Sequence, residues 1–286
     1  MNVESLIETL HYVKEFQGAK IVIKIGGHAM DSESALEEIV KDIILLSNIG
    51  VKPIVVHGGG PEIDEKMEKL GIKPKFVEGF RVTDETTMEI VEMVLDGKIN
   101  SKIVTKFIKY GGRAVGLSGK DGLLLIAKKK EMKIKKGKEE ILVDLGFVGE
   151  TELVNPEILE ILLENNFVPV ISPVSADLKG NVYNLNADIA AGDVAAALKA
   201  KRLVMMTDVP GLFRDLKDPS TLLRKIKLSE LEEFLKNVSG GMKPKLEAVM
   251  RALKGGVEKA HIIDSRKNAL FLELFTKDGI GTIVEP

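Results

Sequence analysis

Lys24 lies at the end of an apolar run, KIVIKI (20–25), and two glycines, Gly26 and Gly27, follow it. A second run, KPIVVH (52–57), leads into three consecutive glycines, Gly58 to Gly60, and then PEID. Glycine loses more backbone freedom on folding than any other residue, so a run of glycines marks a place that requires bare backbone. Glycine-rich turns that feed helix N-termini present N–H groups to anions. GLSGKDG (116–122), TDVPGL (207–212) and SGGMKPK (239–245) have the same form. Taken singly, each is a tight turn; taken together, at one edge of one sheet, they fit an extended, phosphate-rich ligand. Lys24, at a strand end, reaches either solvent or an anion. Lys243 and Lys245, beside Gly240–Gly241, read as an ordinary helix start or, with Lys24, as a clamp on a transferring phosphoryl group. Neither G-x-x-x-x-G-K-[ST] nor a G-x-G-x-x-G after the first strand is present.

The elements that must position these loops are legible as an alternation. Short β-branched runs at 20–25, 52–57, 113–118, 167–172, 202–207, 259–264 and 281–286 are separated by stretches of helical period such as SALEEIVKDIILLSNIG (34–50). That pattern predicts βαβ units and an α/β fold with a mainly parallel sheet covered on both faces. In such sheets ligands bind beyond the carboxyl ends of the strands, where these glycines fall. Residues 123–146 break the rhythm and read as an antiparallel hairpin with a lysine-rich tip at 135–138. Ahead of the first strand, Leu6, Leu10, Val13 and Phe16 recur at helical spacing. This stripe docks onto its own domain or onto another subunit.

The chain has 286 residues, a net charge of -2, 44% hydrophobic residues and no cysteine. These values allow one large or two modest domains and a substantial core. They provide no basic field for nucleic acid, no disulfide framework and no thiolate metal site. No apolar run approaches the ~20 residues that span a bilayer, and the N-terminus lacks the pattern of a secretion signal. The expectation is a cytoplasmic protein without nucleic-acid or membrane partners.

KIGGHAM (24–30), VVHGGGPEID (55–64), GFRVTDETTMEIVEMVLDGKIN (79–100), NLNADIAAGDVAAALKA (184–200), TDVPGL, GGMKPKLEAV (240–249) and LELFTKDGIGT (272–282) occur in this order. From about residue 19 to the end, the chain resembles the amino acid kinase family, and within it the acetylglutamate branch. The resemblance implies an open three-layer α/β/α sandwich. It implies an opening helix at 1–17, an amino-acid lobe at 18–175 and an ATP lobe at 176–286, joined near 172–181. The implied reaction is phosphorylation of the side-chain carboxylate of N-acetyl-L-glutamate by ATP, with Mg2+ bridging the phosphates and no protein ligand assigned to it.

The resemblance also assigns residues. Lys24 acts on the transferring phosphoryl group and Lys245 on the nucleotide side, with Asp188 between them; by sequence alone Asp188 reads as a helix N-cap. Gly59 and Gly60 offer N–H groups to the reacting carboxylate, and Gly26 and Gly27 approach the γ-phosphate. Arg81 takes the α-carboxylate, while Asn184 and Asn186 hydrogen-bond the substrate. Thr207, Asp208, Val209, Pro210, Gly211 and Leu212 line the base and ribose. Arginine-inhibited members carry an N-terminal helix that interlaces dimers into a hexamer, which makes Tyr12, Glu273 and Gly281 candidates for an arginine site. Here Asn268–Ala269 stand where His-Ser is common in the family, so arginine affinity is open. Competing readings are a kinase for acetylaminoadipate and a non-catalytic arginine sensor.

Overall fold

The computed structural model describes residues 12–26, 30, 32–136, 139–215, 217–236, 238, 240–277 and 279–286. Its frame is one eight-stranded sheet. In chain order the strands are β1 (Lys20–Ile25), β2 (Lys52–His57), β3 (Ala114–Ser118), β4 (Val168–Ser172), β5 (Arg202–Thr207), β6 (Lys225–Lys227), β7 (Lys259–Asp264) and β8 (Thr282–Glu285). Across the sheet they run β6-β8-β7-β5-β1-β2-β4-β3. All neighbours are parallel except β7 and β8. The seven strand candidates are all strands of this sheet. β6, only three residues long and at one edge, carries too short a pattern to read from sequence.

The inner strands are largely apolar because both faces are covered; in β4 and β5 every residue is buried, whereas β6, at the edge, is exposed at both of its lysines. The helices are α1 (Glu33–Asn48), α2 (Gly60–Lys69), α3 (Glu85–Glu92), α4 (Asn100–Lys109), α5 (Glu157–Glu164), α6 (Ala187–Ala197), α7 (Leu228–Leu235), α8 (Met242–Lys254) and α9 (Ala269–Leu274). A π-helical segment, Met93–Ile99, joins α3 to α4. A smaller four-stranded sheet runs Val182–Asn184, Val174–Ala176, Leu125–Lys129, Gly149–Val154. Within the expected hairpin, Met132–Lys136 pairs with Glu139–Val143, so 135–136 of the expected tip 135–138 belong to the strand and 137–138 lie outside the described residues. None of the described helices is long and apolar enough to cross a membrane.

β1 lies at the point where the chain's direction of growth reverses. Strands β2, β4 and β3 build outward on one side of it, and β5, β7, β8 and β6 on the other. A crevice opens beyond the end of such a strand, and Lys24 and Gly26 stand at that end. Lys24 pairs in register with Val56 on β2 and Met205 on β5, so the loops after those strands flank it.

Leu6 and Leu10 of the opening stripe lie outside the described residues. Residues 12–16 are helical and dock on the chain's own core. Phe16 is buried against Phe275, ring centroids 5.4 Å apart, with the Arg202 guanidinium over its face. This half of the stripe is satisfied within the subunit.

Helix α9 is docked by a buried carboxylate. Its N-cap position holds Asn268 in a left-handed conformation, with no side-chain cap. Asp42 of α1 supplies the acceptor instead, 3.2 Å from the Leu270 N–H. Burial raises the Asp42 carboxyl to about 6, the Leu270 and Phe271 N–H groups opposing. A folded-state value above the unfolded one means that Asp42 contributes stability below about pH 4, which is lost as pH rises through about 6. Asp42→Asn keeps the acceptor and removes this titration. Urea unfolding is expected to show the variant gaining roughly 2–3 kcal/mol on the native protein between pH 4 and pH 8.

Candidate active site

The site is organised by one buried carboxylate. Asp188 Oδ1 lies 2.7 Å from Lys24 Nζ, and Asp188 Oδ2 lies 3.1 Å from Lys245 Nζ. Lys24 comes from the sheet, Asp188 from the first turn of α6, and Lys245 from the first turn of α8. Burial lowers the Lys24 ammonium from its ordinary value, and Asp188 opposes this. Burial also pushes Asp188 up, but the two ammonium groups outweigh it and hold the carboxyl below its ordinary range. The unit carries one negative and two positive charges, a net positive centre suited to an anion. Lys243, by contrast, is exposed.

Asp188 is not the N-cap. Asn186 has that role, its Oδ1 accepting from the N–H groups of Asp188 and Ile189 at 2.9 and 3.1 Å. The cap frees Asp188 to face the lysines. Lys245 reaches it because α6 is built of small residues. A Cβ on Gly192 would lie 2.6 Å from the Ala248 carbonyl oxygen, so α8 packs directly on the backbone of α6.

Lys24, Gly26, Gly59, Gly60, Arg81, Asn184, Asn186 and Asp188 line one cavity of about 280 Å³. The Arg81 guanidinium pairs with Asp64, donates to the Gly60 carbonyl at 3.2 Å and lies 4.8 Å from the centre of the Phe76 ring. These contacts fix its plane before any ligand arrives. Asn184 is carried in by its N–H bond to the Phe147 carbonyl, 2.8 Å.

Other assignments change meaning. Gly27 lies outside the described residues. Gly59 is bare for a packing reason: an added Cβ would lie 2.1 Å from Ile99 and 2.7 Å from Leu95 of the π-helical segment. A Cβ on Gly60 would meet nothing within 4 Å. The 116–122 loop does not line the cavity. Lys120 is paired with Glu92 and Asp96, and Gly119 backs onto the Val174 carbonyl. Thr207–Leu212 does not line the cavity either; it begins with the last residue of β5, the strand beside Lys24, and the Leu212 N–H donates to Thr282 Oγ1 at 2.8 Å. Glu273 is buried and engaged: His261 Nδ1 lies 2.7 Å from Oε1, and the Ile280 and Gly281 N–H groups donate to Oε2. Tyr12 packs against the core cluster that contains Leu274 and Phe275.

His57 and Asn100 escaped the sequence reading. His57 was legible only as the residue before the glycines, and Asn100 as the last letter of GKIN. Burial drops the His57 imidazole to about 4, so at neutral pH it is uncharged and not a proton acceptor of use.

Residues 19–264 match the amino acid kinase family. The whole chain is 66% identical to an acetylglutamate kinase of Archaeoglobus fulgidus, over 99% of that protein's length. It is 54% identical to the acetylglutamate kinase of Methanocaldococcus jannaschii, over 98% of this chain and 95% of the relative. Among solved structures it is similar to the N-acetylglutamate synthase of Neisseria gonorrhoeae complexed with coenzyme A and N-acetyl-glutamate, at TM-score 0.85 and 25% identity; it spans all of this chain and 64% of the synthase. Carbamate kinase from Giardia lamblia bound to AMP-PNP shares the fold, at TM-score 0.62 and 16% identity over 94% of this chain and 98% of that one. The chain belongs to the amino acid kinase family.

Asp188→Ala leaves Lys24 buried and unpaired. Denaturant unfolding at pH 7 is expected to show a loss of about 3–5 kcal/mol. The loss shrinks toward pH 10, because an unpaired buried ammonium sheds its proton more readily than a paired one.

Proposed function

We propose that the chain transfers the γ-phosphoryl group of ATP to the side-chain carboxylate of N-acetyl-L-glutamate, giving N-acetyl-L-glutamyl 5-phosphate for arginine biosynthesis. The observation that carries the reading is the Lys24–Asp188–Lys245 bridge, whose Lys24 and Asp188 line the same cavity as Gly59, Gly60 and Arg81. Full-length relatives named acetylglutamate kinase support the choice of substrate.

The nucleophile is a carboxylate with an ordinary pKa near ~4.3, ionised at neutral pH, so the reaction needs no general base. The obstacle is one anion approaching another, and the task is neutralisation and in-line positioning. A carboxylate oxygen forms a new bond to the γ-phosphorus. The bond to the β,γ-bridging oxygen breaks, and ADP leaves with that electron pair. Lys24 would meet the phosphoryl oxygens and Lys245 the side where leaving-group charge builds, with Asp188 holding the two ammonium groups apart and aimed. Gly59 and Gly60, at the N-terminus of α2, would hold the acceptor carboxylate, to which the helix end adds a favourable field. Arg81 would bind the α-carboxylate by its two-pronged edge. Asn184 and Asn186 would contact the rest of the substrate.

Thr207–Leu212 would line the nucleotide, making 176–286 the ATP lobe and 18–175 the amino-acid lobe. Among the described residues no three His, Cys, Asp or Glu side chains converge to hold a metal, and Asp188 is already neutralised by two ammonium groups. Magnesium would therefore arrive on the nucleotide's phosphates as part of the substrate. We place the reaction in the cytoplasm, where ATP is made available.

A steady-state assay with ATP and N-acetyl-L-glutamate, run beside acetylaminoadipate, tests the reading; turnover with neither substrate refutes it. Lys24→Ala and Lys245→Ala are each expected to lower kcat by at least ~10²-fold, since both act on charge that develops in the transition state. Arg81→Ala is expected to raise KM for the amino acid by about tenfold and leave that for ATP near its native value, because the α-carboxylate does not react.

Arginine inhibition and a hexamer built as a trimer of dimers complete the proposal. Tyr12 packs against the large core cluster to which Leu270 and Leu274 of α9 also belong, and the Gly281 N–H donates to Glu273. An arginine guanidinium would have to displace His261 from Glu273. Removing residues 1–17 is expected to reduce a hexamer to dimers by light scattering and to abolish arginine inhibition while turnover persists.

A further inference from the structure

His57 ends β2, immediately before the glycine loop, and its side chain is wholly buried. Its Nδ1 lies 2.9 Å from the Gly58 carbonyl oxygen, and its Nε2 lies 3.2 Å from Asn100 Nδ2. The orientation of the Asn100 amide follows from its other partners. Asn100 Nδ2 also lies 2.9 Å from the Val170 carbonyl oxygen and 3.3 Å from that of Leu117. Two carbonyl oxygens only accept, so the atom facing them is the amide NH2. His57 Nε2 faces the same NH2, which cannot accept, so Nε2 carries no proton and shares with the Leu117 carbonyl one of the two amide hydrogens. The ring's proton therefore sits on Nδ1 and is donated to the Gly58 carbonyl.

A peptide unit is planar and trans, so its C=O and N–H point opposite ways. Hooking the Gly58 carbonyl toward the buried imidazole turns the Gly59 N–H away from it. The same stretch of chain holds the loop from below: Leu95 and Ile99 occupy the space where a Gly59 side chain would be. The extra residue per turn of a π-helix brings Leu95, Ile99 and Asn100 to one loop. Room for the amide comes from Gly116, whose added Cβ would lie 2.0 Å from Asn100 Oδ1. This contact accounts for a glycine at position 116.

We propose that His57, locked by Asn100 as the Nδ1–H tautomer, is a positioning residue that sets the Gly58 peptide so that the Gly59 N–H faces the acceptor carboxylate. The role rests on the proposed kinase reading. It is exerted through the backbone: His57 itself touches neither substrate and transfers no proton.

The test separates positioning from mere support of the fold. His57→Phe keeps the ring's bulk and loses both hydrogen bonds. His57→Asn keeps a donor where Nδ1 was. With N-acetyl-L-glutamate, His57→Phe is expected to lower kcat by about 10²-fold and to leave KM for ATP within about twofold, and His57→Asn to recover about tenfold of the loss. A folded His57→Phe protein with native kcat overturns the proposal, as does a His57→Asn protein no better than His57→Phe. The native protein gives a reading that no folding defect can obscure. Nitrogen NMR of His57 between pH 6 and 8 is expected to show the neutral Nδ1–H ring, and an Nε2–H or doubly protonated ring overturns the proposal. Absence of native turnover would count against the kinase reading alone, since the tautomer is measured independently of it.

Discussion

The molecule is arranged around a carboxylate that cannot be left without its lysines, nor they without it. Asp188 is buried, and an isolated charge there would cost several kcal/mol. Lys24 on one side and Lys245 on the other make the burial tolerable. A buried bridge of this kind is not in itself a gain in stability, because apolar residues of the same volume often fold as well. It sets two ammonium groups on the two oxygens of one carboxylate, at 2.7 and 3.1 Å. That is the form an anion-on-anion reaction requires, since charge must be in place before the reactants meet.

Much of the fold serves this meeting of three elements. β1 must lie at the point where the sheet changes direction, so that Lys24 looks into a crevice. α6 must begin with a cap other than Asp188, and Asn186 supplies it. α8 must approach α6 closely enough for a lysine to reach across, and Gly192 allows that. The small-residue character of α6 follows from the same demand, because the helix packs against β1, β2, β5 and α8.

The other half of the cavity is organised by neutral groups. His57 is kept uncharged by burial and by an amide that can only donate to it. The π-helical segment fills the space beneath Gly59 with hydrocarbon. A charged group there would compete with the lysines for the incoming anion. Arg81 is the exception. It carries Asp64 as its own counter-charge, so it presents direction more than net charge.

What the sequence determined by itself is what depends on local pattern. Strand runs and helical periods are short-range signals, and the seven long strands were legible from them; β6, with three residues, carries too little pattern. The order of motifs was enough to mark Lys24, Asp188 and Lys245, but only through resemblance, since residues 164 and 57 positions apart carry no spacing rule that joins them. Tertiary structure decided the reasons. It showed Asn186 rather than Asp188 capping α6, and Gly59 and Gly116 bare because Ile99 and Asn100 need the space. It showed Lys120 of the 116–122 loop paired with Glu92 and Asp96, and Glu273 held by His261. A glycine's neighbours and a carboxylate's partners come from strands and helices far apart in the chain. Which of them arrives is settled only when the sheet order and helix packing bring them within a few ångströms.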